Sequence, residues 1–214
     1  ELPDILNEAG ADELADLTRH ELAHSVLFRT ALGPPWNTFD VEADAVQHGV
    51  AVGLAELAQC VSEHGCGWVH SGVPLAPGPV NPIHVCTTEE DQTDVEVASS
   101  ELKLCNKNAA ANLALSAHAL AVAACTMSGE CTAPECNVLG AAGCSTESQQ
   151  RSASRKLLRV VLDAWGSGYM TGLTLEMDLG AGIVQSCVQL VEDDKGVSPA
   201  TLEDADCGDI ASAF

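Results

Sequence analysis

The sequence predicts a mainly α fold, a disulfide-stapled, four-helix-bundle-like domain with long Cys-, Pro- and Gly-rich loops. Three observations lead there. Four long segments repeat apolar residues at helical spacing, and the 10 cysteines crowd in and around the stretches that join them. Only 3% of the residues are aromatic, although 46% are hydrophobic. A core with so few rings is built from Ala, Val, Leu and Gly, which let helix backbones approach closely. A chain of 214 residues is long enough to bury such a core as a single helical domain over 1–214.

The first helical segment covers about 11–32, with Leu14, Leu17, Leu27, Phe28 and Ala31 at helical spacing. It stops at Gly33-Pro34-Pro35, where proline can neither donate nor continue the helix. The second covers about 40–64 behind an Asp40 cap and carries Ala45, Val46, Val50, Leu54, Leu57 and Val61 on one side. Together they make a helical hairpin over 1–64. The stretch 65–95 reads as a Cys/Pro-rich and then acidic loop. A helical half follows over 96–192. Its first segment, about 96–127, is Ala-rich with Leu102, Leu113, Leu120 and Met127, and "CTMSGECTAPECNVLGAAGC" closes it as a loop. The next segment begins near Ser148 and is helical through Trp165. Beyond it, the spacing of Trp165, Tyr169, Gly172, Glu176, Leu179, Ile183, Cys187 and Leu190 favours continuing the helix. Alternation over Tyr169, Leu173, Leu175, Met177 and Leu179 supports instead a C-terminal β-hairpin at 169–191. Five glycines between 166 and 182 weigh against helix at roughly 1 kcal/mol each. An acidic tail over 193–214 is expected to be tied down through Cys207.

The ten cysteines are Cys60, Cys66, Cys86, Cys105, Cys125, Cys131, Cys136, Cys144, Cys187 and Cys207, and no two stand in C-x-x-C spacing. An even count without metal-site spacing reads as five disulfides, formed in an extracellular or other oxidising lumen. Nine Lys and Arg stand against 31 Asp and Glu, a formal charge of −22. Such a polyanion is repelled by nucleic acid and by anionic membrane surfaces, so neither is an expected partner. The long uncharged run 108–129 is too polar to read as a membrane span. Expected partners are cations, a basic protein, or further copies of the chain.

The residues that carry chemistry lie in "RHELAHSVLF". His20, Glu21 and His24 form H-E-x-x-H, whose spacing sets both imidazoles on one helix face, as a tetrahedral zinc requires. Glu42 follows His24 by 18 residues, at the start of the next helical segment and within "VEADAVQHGV". This arrangement resembles gluzincin metallopeptidases, whose third zinc ligand is a glutamate on a following helix. The resemblance covers residues 20–44 and implies zinc ligands His20, His24 and Glu42. It also implies Glu21 as the general base and Asp44 as support for a ligating histidine. The histidine-ligated metzincin extension is absent, because Leu27 and Thr30 stand where its glycine and third histidine belong. "ELAHSVLFRTALG" is also similar to the E-x-x-H helix of ferritin-like proteins. There Glu21 and His24 would bind iron, with Glu42, Glu56 or Glu176 supplying further carboxylates.

Charge is segregated as well. No Lys or Arg occurs between Arg29 and Lys103, whereas eleven acidic residues do. Arg151, Arg155, Lys156 and Arg159 then crowd into "RSASRKLLR". The expected counterpart of this basic cluster is the segment around Glu89, Glu90 and Asp91, within the chain or across a repeated contact between copies. The composition as a whole predicts a secreted or luminal structural or assembly protein without catalysis. A gluzincin-like zinc peptidase is the alternative and a ferritin-like metal-binding bundle the third reading.

Overall fold

The structure is a computed structural model, and it describes residues 11–30, 41–62, 95–98, 101–104, 107–129, 131–167, 169, 176–194 and 201–214. The described residues form seven helices and one small hairpin. In chain order these are α1 (Ala11–Thr30), α2 (Val41–Val61), β1 (Val95–Ala98), β2 (Glu101–Leu104), α3 (Lys107–Thr126), α4 (Ala133–Cys144), α5 (Glu147–Gly166), α6 (Glu176–Asp193) and α7 (Asp204–Ala213). The protein is a mainly helical, disulfide-stapled bundle, as the composition and periodicity predict.

The helix α3 is the hub. It packs most extensively on α2 and also touches α4, α5, α6 and α7, while α1 lies against α2 and α5. Its second half, Ala117 to Cys125, is buried except for half-buried His118. Small side chains make this possible, because Ala adds little radius and the neighbouring helix axes can draw close. One close approach is at Gly53 of α2, where a Cβ would lie 2.5 Å from Leu120 Cδ1. Glycine suits this position because a side chain would enter space that Leu120 fills, and Leu120 would have to shift. One continuous cluster of buried side chains runs from Ala23 and Leu27 through Leu57, Leu120, Leu157 and Ile183 to Ile210.

Helix α5 begins at Thr146 with a capping box. The Thr146 N–H donates to Gln149 Oε1 at 2.9 Å, and the Gln149 N–H donates to Thr146 Oγ1 at 3.4 Å. These bonds satisfy donors that a helix start otherwise leaves open. Leu157, Val160, Val161 and Ala164 then recur on one buried face. The helix ends where the Ser167 N–H donates to Asp163 O at 2.8 Å.

Three sequence expectations are corrected. The segment 96–127 is not helical from its start, because β1 and β2 pair antiparallel before α3 begins at Lys107. Their register sets Val97 opposite Leu102 and Glu96 opposite Lys103. This alternation of apolar and charged positions suits a pleated ribbon, which the helical template had absorbed. Residues 166–191 form neither one continuous helix nor a hairpin at 169–191, since α5 stops at Gly166 and α6 starts at Glu176. The glycine cost in α6 is offset at Gly180 by packing, because a Cβ there would meet Phe214 Cβ at 2.5 Å. The cysteine-dense stretch closing α3 is not only loop, since it contains α4. The acidic tail is tied down through Cys207, as expected, and it contains a packed helix, with Cys207 and Ile210 of α7 in the core.

Three disulfides have both halves among the described residues, namely Cys125–Cys136, Cys131–Cys144 and Cys187–Cys207. Cys60 is disulfide-bonded too, and no described cysteine is free. Cys66, Cys86 and Cys105 lie outside the described residues, as does nearly all of the expected 65–95 loop. Disulfides on this scale belong to an oxidising environment. No helix among the described residues is long and apolar enough to cross a membrane.

Candidate metal centre

The helix α1 presents its chemistry beside its buried stripe. Ala23 and Leu27, four residues apart, face the core, while His20 and His24 are half-buried next to them and Glu21 is exposed. The i,i+4 spacing stacks the imidazoles one turn apart. The His20 and His24 Nε2 atoms lie 3.1 Å apart, with ring centroids separated by 4.7 Å and planes crossing at 86°. With one nitrogen protonated and the other not, this contact is a hydrogen bond.

The 3.1 Å separation is also short enough for both nitrogens to reach one cation. Two metal–nitrogen bonds of 2.0–2.1 Å spanning the 3.1 Å gap enclose an angle of roughly 100°, near the tetrahedral value. Burial lowers the proton affinity of the His24 imidazole below its ordinary value, and the neighbouring Glu21 carboxylate opposes this. The neutral ring that a metal requires is therefore favoured at neutral pH.

Two contacts from distant parts of the chain fix α1 in place. The buried Trp165 of α5 donates its indole N–H to Leu27 O at 2.8 Å, and Arg19 Nη2 donates to Gln59 Oε1 of α2 at 3.4 Å. The first grips the helix one turn beyond His24 and the second just before His20. Sequence reasoning missed Trp165 because 138 residues separate it from Leu27, and no local pattern marks the pair.

The other implied ligands are placed only in part. Glu42 and Asp44 stand in the first turn of α2, which packs against α1, but their side chains are outside the described part of the structure. Glu176 opens α6, its side chain likewise outside the described part of the structure, and Glu56 on α2 is half-buried. Among the described residues, the only group of three or more His, Cys, Asp or Glu close enough to share an ion is Cys125, Cys136 and Cys144, all in disulfides.

The basic cluster lies on α5, and three of its members pair inside the chain with acids other than Glu89, Glu90 and Asp91. Arg151 meets Glu147 at 2.7 Å and donates to Cys60 O at 3.2 Å. Lys156 Nζ lies 2.9 Å from each Asp206 carboxylate oxygen. Arg159 grips Asp194 with two bonds of 2.7 and 2.9 Å, and Thr201 joins them. Arg155 is exposed. Residues 89–94 lie outside the described residues, so the expected counterpart is not placed.

The chain matches no family model, no curated protein and no solved structure.

Proposed function

We propose that this protein binds a divalent transition metal, zinc foremost, through His20 and His24 in an extracellular or luminal setting. The observation that carries the reading is the convergence of the two Nε2 atoms to 3.1 Å on a helix held from both sides. Glu42 would complete the ligand set and Asp44 would steady a ligating histidine, as the gluzincin resemblance implies. A zinc ion there would supply Lewis acidity towards a water and a substrate carbonyl. Glu21, exposed on the next position of the helix, would take the proton from the attacking water. The ferritin-like reading draws less support, because the Glu21 side chain of its E-x-x-H pair is exposed rather than facing the bundle core.

Elemental analysis of protein purified without added metal or chelator tests this reading. Stoichiometric zinc supports it, and iron would favour the ferritin-like alternative. Neither metal, together with no calorimetric response to added zinc, would overturn both. With zinc bound, Glu21→Gln should keep the metal and lower peptide hydrolysis by about 10²–10⁴-fold. Hydrolysis at the wild-type rate would remove Glu21 from the mechanism.

The scaffold reading is supported by a different observation, the strong acidity of a chain stapled by disulfides. Its assembly surface reduces to Arg155 and the 89–91 acids, because Arg151, Lys156 and Arg159 have partners within the chain. Sedimentation across a range of ionic strengths tests it. Self-association weakened by salt supports assembly, and a monomer under every condition refutes it.

A further inference from the structure

Two disulfides lie close together where α4 folds back on the end of α3. Cys125 lies in the last turn of α3 and is bonded to Cys136 in the first turn of α4. Cys131, between the helices, is bonded to Cys144, the last residue of α4. The Sγ atoms of Cys125, Cys136 and Cys144 all lie within 4.8 Å of one another, although Cys144 belongs to the other bond. Cys125 and Cys136 are each 2% exposed and Cys144 is 6% exposed, whereas Cys131 is half-buried. Solvent therefore reaches this cluster chiefly through Cys131. The Cys187–Cys207 bond has no such neighbour among the described residues.

We propose that the two bonds form a thiol–disulfide relay, entered at Cys131 by a small thiol and passed on by Cys144 to the buried Cys125–Cys136 bond. The incoming thiolate attacks Cys131 Sγ, forming a mixed disulfide and expelling Cys144 as a thiolate. That thiolate attacks Cys125 or Cys136, so that a new bond to Cys144 forms, the Cys125–Cys136 bond breaks, and the other cysteine leaves as the thiolate. The released thiolate can in turn attack the mixed disulfide at Cys131 and regenerate the small thiol. The sequence is an exchange of bonds with no net oxidation or reduction, and it follows ordinary thiolate chemistry. Proximity makes the inner step favourable, because attacker and target are held together rather than meeting by diffusion. When the new bond joins Cys125 to Cys144, the covalent hold on α3 shifts from the first turn of α4 to its end.

Cys131→Ser, produced under oxidising conditions, leaves one cysteine of the cluster without its native partner. After acid quench and alkylation, a protease cutting after Glu130 and Glu135 separates Cys125 from the peptide that holds both Cys136 and Cys144. Fragmentation of that peptide then places each bond and label. The relay requires part of the label on Cys125 or Cys136, with Cys144 correspondingly cross-linked. Label on Cys144 alone, beside an intact Cys125–Cys136 bond, would overturn the proposal. Cys207→Ala serves as the control and should carry its label on Cys187 only. Should Cys131→Ser fail to fold, the wild-type chain with a limiting amount of glutathione decides. Non-native bonds to Cys144 beside glutathionylated Cys131 support the relay, and modification confined to Cys131 and Cys144 refutes it.

Discussion

Replacing both Cys187 and Cys207 by Ala tests what holds the last helix to the bundle. The bond joins α6 to α7 across a sequence separation of 20 residues, and both cysteines are buried, at 0% and 6% exposure. Loop-closure entropy for 20 residues gives a loss of about 3 kcal/mol at 25 °C, because the unlinked unfolded chain gains conformational freedom. Urea unfolding of the oxidised proteins, followed by circular dichroism, measures the change. With a slope of about 2 kcal/mol per molar urea, the midpoint should fall by about 1.5 M. Hydrogen exchange should accelerate first over 204–213, which the bond retains, while α1 stays protected. A midpoint shift below about 0.5 M would refute the reasoning. It would mean that buried Leu202 and Ile210, with the Lys156–Asp206 pair, dock α7 without the covalent link.

Three further outcomes are expected. Gly53→Ala should lower stability by up to about 2 kcal/mol, since overpacking against Leu120 outweighs the gain in helix propensity. Combined with Leu120→Ala, it should add less than the sum of the two single changes, and additive urea midpoints would refute the close contact. Trp165→Phe removes the indole donor to Leu27 O and should cost about 1–3 kcal/mol, with faster proteolysis within α1 as the local signature. Arg159 and Thr201 hold the Asp194 carboxyl well below the usual carboxylate range. A lowered folded-state value means a contribution that is present above the unfolded value near 3.9 and lost as pH falls through the folded one. Asp194→Asn should therefore flatten the acid limb of stability measured between about pH 4 and pH 2, and an unchanged limb would contradict this assignment.

Much of the fold could be read along the chain because it rests on local periodicity. The apolar repeat of "RSASRKLLRVVLDAW" specifies α5, while its Thr146–Gln149 capping box fixes the start that periodicity places only near Ser148, and Gly33-Pro34-Pro35 marks where α1 can no longer extend. The cysteine count and spacing pointed to disulfides without naming partners, since connectivity depends on which helix ends meet in space. Likewise H-E-x-x-H set two imidazoles on one face of α1, because four residues make about one helical turn. Their approach to 3.1 Å and the fixing of α1 by Trp165 belong to the tertiary structure. So does the choice of partners for Arg151, Lys156 and Arg159. Sequence charge points them towards the segment around Glu89, Glu90 and Asp91, which lies outside the described residues, whereas Asp206 and Asp194 are brought beside Lys156 and Arg159 by packing, within a few ångströms where Coulomb attraction is strong. The glycines of 166–182 divide in the same way. Their intrinsic helix cost is a property of the residue, but the reason to keep Gly180 inside α6 is the Phe214 ring that packing delivers against it.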